Sequence, residues 1–100
     1  MTMRNEADLQ AWFIKKLNEK GAYTQKVMGV SRRGFPDVLV IYKSNVFFVE
    51  IKQKTGVVSS FQKREIRRIL RAGGHAFVLF DRSGCELFIE SITKELIEHD

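Results

Sequence analysis

The sequence predicts an α/β or α+β sandwich whose elements run in the order αβββαββα. Two stretches with helical apolar spacing, each closed by glycine, bracket a run of strand-like segments between residues 22 and 54. A glycine pair at 73–74 then separates the second helical stretch from a further apolar run. With one proline in 100 residues, no repeat and no break in composition, the chain reads as a single domain, residues 1–100, without a linker.

Asn5 is a good N-cap residue, and Leu9, Phe13 and Leu17 follow at four-residue spacing, with Trp12 and Ile14 widening the stripe. A helix is therefore expected over 6–20, where Gly21 stops it. Residues 22–28, AYTQKVM, form a candidate strand, and the loop GVSRRG (29–34) carries Arg32 and Arg33 between glycines. Pro36 lacks an amide hydrogen and suits the start of a strand, which DVLVIY (37–42) supplies. Residues 43–45 turn the chain and VFFVEIKQK (46–54) returns beside it. Ser59 can cap a helix running through Arg71, with Ile66, Ile69 and Leu70 inward and Gly73-Gly74 at its end. HAFVLFD (75–81) reads as a buried strand, CELFIE (85–90) as a further strand, and SITKELIEH (91–99) as a short amphipathic helix whose apolar side, with Leu87, Ile89, Ile92, Leu96 and Ile97, serves either the core or a dimer contact.

Seventeen Lys and Arg against twelve Asp and Glu give a formal charge of +5, which favours a polyanionic partner. A single cysteine, Cys85, excludes an internal disulfide, and with only His75 and His99 it cannot supply an ordinary structural zinc site. The N-terminal MTMRNEADLQ has no apolar signal core, and no apolar run approaches the ~18 residues of a membrane span. The expectation is a soluble protein of a reducing cytoplasm, without a membrane partner.

Charge inside the most apolar segment demands a reason. Glu50 and Lys52 alternate with Val49 and Ile51 and so share one face of their strand. If Ser44 and Asn45 form a two-residue loop, Lys43 opposes Val46, Leu39 opposes Glu50 and Asp37 opposes Lys52. Asp37 and Glu50 are then diagonal neighbours, roughly 7–8 Å apart at Cα and able to reach one hard cation. The alternative is a cross-strand ion pair between Asp37 and Lys52 with Glu50 exposed. Acid-x-Lys by itself arises by chance about once per hundred residues. A Gly-x-Pro-Asp turn upstream, at matching parity, makes the set far more specific.

Two further residues join it. Glu6 shares the stripe of Leu9 and Phe13, although an acid in a first turn also complements the helix dipole. Gln62 lies on the inward face of the second helix, although Ser59 to Gln62 is also capping-box spacing. That helix carries Lys63, Arg64, Arg67, Arg68 and Arg71 against the single acid Glu65. With Arg32, Arg33 and Lys54 these form either a solvated basic face or a surface for phosphate-backbone contact. Hydrolysis of a phosphodiester needs its charge neutralised and a nucleophile made from water. Mg²⁺ or Mn²⁺ on Asp37, Glu50 and the Ile51 carbonyl would suffice, with Lys52 orienting or deprotonating water or neutralising charge.

Gly34-Phe35-Pro36-Asp37, Glu50-Ile51-Lys52, and Ser59/Ser60 with Gln62, preceded by Glu6, resemble the virus-type replication-repair nuclease domain (VRR-NUC) of the PD-(D/E)xK nuclease superfamily, from about residue 5 to 80. Phe35 stands where the family commonly has Ile or Val. The resemblance implies a small restriction-endonuclease-like core, a central mixed sheet flanked by helices. It also implies a DNA endonuclease dependent on Mg²⁺ or Mn²⁺, with Asp37 and Glu50 as ligands, Lys52 catalytic, and Glu6 and Gln62 supporting. Stand-alone members of this size resemble phage and bacterial enzymes similar in shape to Holliday-junction resolvases, so a homodimer cutting branched DNA in a bacterial or phage-infected cell is expected. The rival expectations are a catalytically silent nucleic-acid-binding module and a restriction-type endonuclease, the latter short of base-reading elements at this length.

Overall fold

The structure is a computed structural model that describes residues 5–94. Its elements are α1 (Glu6–Glu19), β1 (Tyr23–Lys26), β2 (Val38–Tyr42), β3 (Asn45–Lys52), α2 (Ser60–Arg71), β4 (His75–Phe80) and α3 (Asp81–Thr93). The α+β class expected from the sequence is the one observed. The four strands lie in the order β1-β2-β3-β4, antiparallel except for β3 and β4, which run parallel with α2 as their crossover.

The second half of the chain differs from expectation in one element. Residues 85–90 are not a strand but the middle of α3. Cys85, Leu87 and Ile89 alternate as in a strand, yet Cys85, Phe88, Ile89 and Ile92 also fall at helical spacing, and this second pattern is the one that meets the core. Asp81 starts the helix straight from β4: at φ 46° its carboxylate accepts hydrogen bonds from the Ser83 and Gly84 amides at 3.0 and 3.3 Å and from the Ser83 hydroxyl at 2.8 Å. These bonds hold its carboxyl below the ordinary range, the Ser83 side chain contributing most. Ser91–Thr93 close α3. The remainder of the helix expected over 91–99, with Leu96 and Ile97, lies outside the described residues.

One face of the sheet carries Val38, Val40, Val49 and Ile51, all fully buried, against Leu9, Phe13 and Leu17 of α1 and Cys85, Phe88 and Ile89 of α3. Phe88 anchors this layer, its ring 5.3 to 5.8 Å from those of Phe77, Phe47 and Phe13. Burial pushes the Cys85 thiol up to about 12, so it packs as a small apolar residue. With the apolar demand met on that side, the opposite face, under α2, is where charge is tolerated.

The β2-β3 turn is made by Lys43 and Ser44, not Ser44 and Asn45. Both have positive φ, 46° and 72°, as a two-residue hairpin loop of type I′ requires, and Asn45 already pairs with Tyr42. Leu39 consequently faces Phe48 instead of Glu50, and the ladder ends on Val38 opposite Val49. Moving the loop by one residue moves the pairing sum by two, which preserves parity. Asp37 stays on the face of Glu50 but comes opposite Glu50 itself, where Lys52 had been expected. Because Ser44 holds a left-handed conformation that a side chain opposes, Ser44→Gly should stabilise the fold by about 0.5–1 kcal/mol, read as a raised midpoint in urea unfolding.

Candidate active site

Asp37 is positioned by its backbone before its side chain. Pro36 is buried, and the Asp37 carbonyl accepts the Val27 amide at 2.7 Å, continuing the β1-β2 ladder one residue past the strand ends. Phe35 packs edge-on against Phe48 at 5.7 Å, so the larger ring at this position fills the space beneath the turn. The Asp37 carboxylate accepts a long hydrogen bond, 3.5 Å, from the amide of Ile51, the residue between Glu50 and Lys52.

Glu50 sits in the middle of β3 at 2% exposure. Its Oε2 accepts a hydrogen bond of 2.8 Å from Gln62 Nε2 and lies 3.7 Å from Lys52 Nζ, while its Oε1 is buried with no hydrogen-bond partner. Burial pushes the Glu50 carboxyl up to about 8; the charge of Asp37 adds to this, as does the charge of Glu6, and Lys52 opposes them. Asp37, Glu50, Lys52 and Gln62 therefore converge as expected. Lys52 pairs with Glu50 instead of Asp37. Glu6 is exposed in the first turn of α1, short of the inward position expected for it, yet close enough for its charge to act on Glu50.

Gln62 serves two functions. Its side-chain oxygen accepts the Ser59 amide at 2.9 Å while the Ser59 hydroxyl accepts the Gln62 amide at 3.1 Å, a complete capping box. The same amide group's nitrogen holds Glu50, so the start of α2 is tied to the acid. Gly34 sets the distance. At φ 83°, a Cβ here would lie 2.4 to 2.6 Å from the Phe61 carbonyl group and the Gln62 amide nitrogen, so only glycine lets the Gly-Phe-Pro-Asp turn seat against α2.

The basic residues divide into groups that the sequence did not distinguish. Glu65 is buried on the inward side of α2, where Leu70 had been expected; Leu70 is 51% exposed. Arg32 and Arg68 both turn to Glu65, at 3.3 and 3.7 Å. Arg33 and Arg64 lie over the ring of Phe61. Lys54, Lys63, Arg67 and Arg71 are exposed. The signal that could have found Glu65 is its three-residue spacing from Gln62, which places both on one helix face.

Among the described residues no cluster of three His, Cys, Asp or Glu side chains forms. The oxygen donors that do converge are those of Asp37 and Glu50. A buried carboxylate oxygen lacking any partner, beside a second carboxylate, is the chemistry of a hard-cation site whose other positions are water or substrate. The residues fit Mg²⁺ or Mn²⁺. Surface clefts of about 550 and 590 Å³ lie along α1 and contain none of these side chains.

No protein-family model matches the sequence, and no curated protein matches it. Solved structures do. A VRR-NUC domain superposes with a TM-score of 0.77 at 28% identity, over 85% of this chain and 94% of the other. The chain has the VRR-NUC fold. A second VRR-NUC domain protein aligns with a TM-score of 0.69 at 20% identity over 93% of this chain and 88% of its own, a likeness of fold. The Holliday junction resolvase Hjc of Archaeoglobus fulgidus shares the fold at a TM-score of 0.58 and 19% identity, over 74% and 66% of the two chains. The shared fold accounts for the mixed sheet and its flanking helices.

In this VRR-NUC-like fold Gly34→Ala should cost about 2–5 kcal/mol, combining a left-handed alanine with overlap on the α2 backbone, and thermal melting should show it. The Glu50 carboxyl is raised from 4.5 to about 8, so the metal-free fold retains a proton that the unfolded chain releases. Its contribution is complete below about pH 4.5 and is lost as pH rises through 8. Melting temperature should therefore fall across that window, and Glu50→Gln should flatten the fall.

Proposed function

We propose that this domain is a divalent-metal-dependent DNA endonuclease that hydrolyses phosphodiester bonds, selects branched DNA such as four-way junctions, and acts as a homodimer. The observation that carries the reading is the buried Glu50 carboxylate, with one oxygen held by Gln62 and the other unpartnered, next to Asp37 on the same face of the sheet. Stability alone gives no reason to bury such an acid, because an unpaired buried oxygen is a penalty that an apolar residue would avoid. A module that only bound DNA would gain nothing from carboxylates facing a polyanion.

Asp37 and Glu50 would hold the ion, with the Ile51 carbonyl as the backbone donor of the same strand. The bound ion supplies neutralisation of the phosphoryl oxygens and lowers the pKa of a water nucleophile. Gln62 fixes the Glu50 carboxylate by one oxygen and leaves the other free for the ion. Lys52, 3.7 Å from that carboxylate, brings positive charge to the developing negative charge of the phosphoryl centre and orients the attacking water. Glu6 adds negative potential at the rim, which favours a cation. Glu50 lies within β3 and Asp37 immediately before β2, so neighbouring strands hold the two acids.

Several features support the finer points. The exposed basic residues of α2 suit contact with phosphates on either side of a cut. β4 is an edge strand whose Phe77 and Phe80 are 39% and 37% exposed, and Leu87 on α3 is 66% exposed, an apolar border available for a second copy. Solved structures that share the fold include VRR-NUC domains and a Holliday junction resolvase. No helix among the described residues is long and apolar enough to cross a membrane.

The test is cleavage of end-labelled single-stranded, duplex, flap and four-way-junction DNA with Mg²⁺, Mn²⁺ or EDTA. Wild type should cut the junction only with metal and sediment as a dimer, and Lys52→Ala should lower the rate by about 10²-fold or more while still binding. Binding by both proteins with no cutting in any metal would instead identify a silent binding module, and discrete fragments from linear plasmid a restriction-type enzyme.

A further inference from the structure

Phe61, half-buried in the first turn of α2, carries two cations on one ring. The guanidinium carbon of Arg33 lies 4.1 Å from its centroid and that of Arg64 lies 5.3 Å away. Arg33 comes from the loop before Pro36, and Arg64 from one turn further along α2. Like charges gathered on one ring repel, and among the described residues no carboxylate pairs with either. The nearby acid, Glu65, is taken by Arg32 and Arg68. What would relieve the repulsion is an anion from outside the chain.

The ring also fixes how that anion can be met. Stacking uses the face of a guanidinium and leaves its N–H edges free, which are the groups that grip two oxygens of a phosphate. Both arginines are anchored to the segments that build the active site. Arg33 precedes Gly34, whose missing Cβ lets the turn of Asp37 seat on the Phe61 and Gln62 backbone, and Phe61 precedes Gln62, which holds Glu50 at 2.8 Å.

We propose that Arg33, Phe61 and Arg64 form a clamp for one backbone phosphate of the strand being cut, and that Phe61 is its positioning residue. Arg32 and Arg68 instead tie the loop to α2 through Glu65 and add little to DNA affinity. This assignment rests on the nuclease reading above, and it separates eight basic residues into one preorganised pair, one structural pair and a remainder of untethered charges.

The test uses the full chain and a fluorescein-labelled four-way junction, with binding measured by anisotropy in Ca²⁺ across a salt series and single-turnover cleavage measured in Mn²⁺. Arg33→Ala or Arg64→Ala should weaken binding about tenfold and lower the log–log salt slope by about one. Phe61→Leu removes no charge, yet it should weaken binding by several-fold and slow single-turnover cleavage, and Phe61→Tyr should restore both. In the Phe61→Leu background, Arg33→Ala should cost much less than it does in wild type, the coupling expected of one unit. Arg32→Ala should lower the melting temperature and leave the slope unchanged.

Wild-type binding by Phe61→Leu at an unchanged melting temperature, independent effects of Phe61→Leu and Arg33→Ala, or a slope lost in Arg32→Ala as in Arg33→Ala would each overturn the clamp while the nuclease stands. A wild type that neither binds nor cuts the junction would remove the nuclease reading, and the clamp with it.

Discussion

A carboxylate buried in the middle of a strand governs this small domain. Glu50 lies within a sheet whose other face is apolar and fully packed, and it cannot be solvated where it stands. A buried charge is tolerated only when it is paired, hydrogen-bonded, neutralised by a proton or bound to a metal. The surrounding chain supplies the first two in part: Gln62 donates to one oxygen and Lys52 approaches the same oxygen. The other oxygen is left to a proton or to a cation, and the chemistry proposed for the domain follows from that alternative.

The rest of the architecture can be understood as holding this arrangement still. α2 is the crossover between parallel strands, so its N-terminus must return over the end of β3, where Lys52 emerges. The capping box satisfies that helix terminus and presents Gln62 to Glu50 with the same side chain. Gly34 brings the Asp37 turn against the α2 backbone from the other side. Three segments distant in sequence are thus locked by one glycine, one amide and one strand register. Error in any of them would move a carboxylate oxygen out of the arrangement on which the proposed chemistry depends.

The basic surface follows a parallel logic at lower stakes. Glu65, buried and flanked by Arg32 and Arg68, is a charge satisfied within the fold, and breaking it would leave an uncompensated acid under α2. Arg33 and Arg64 are satisfied by a ring instead, which orients them without neutralising them. A formal charge of +5 therefore overstates neither solvation nor DNA contact by itself; the net figure conceals arginines with different partners.

Much of this was determined by local sequence. Helical spacing and caps place α1 and α2 nearly to the residue, since Asn5 and Ser59 satisfy amides close to them in the chain. Strand parity places Asp37, Glu50 and Lys52 on one face, and that result survived a hairpin loop one residue from its expected place because the pairing shifted by an even number. Tertiary structure decided what local pattern left ambiguous. Residues 85–90 satisfy both strand and helix periodicity, and packing of Cys85, Phe88 and Ile89 against α1 and the sheet selected the helix. Which cation pairs with which acid, Lys52 with Glu50 and Arg32 with Glu65, depends on distances between segments brought together only by folding. No spacing along the chain encodes those distances.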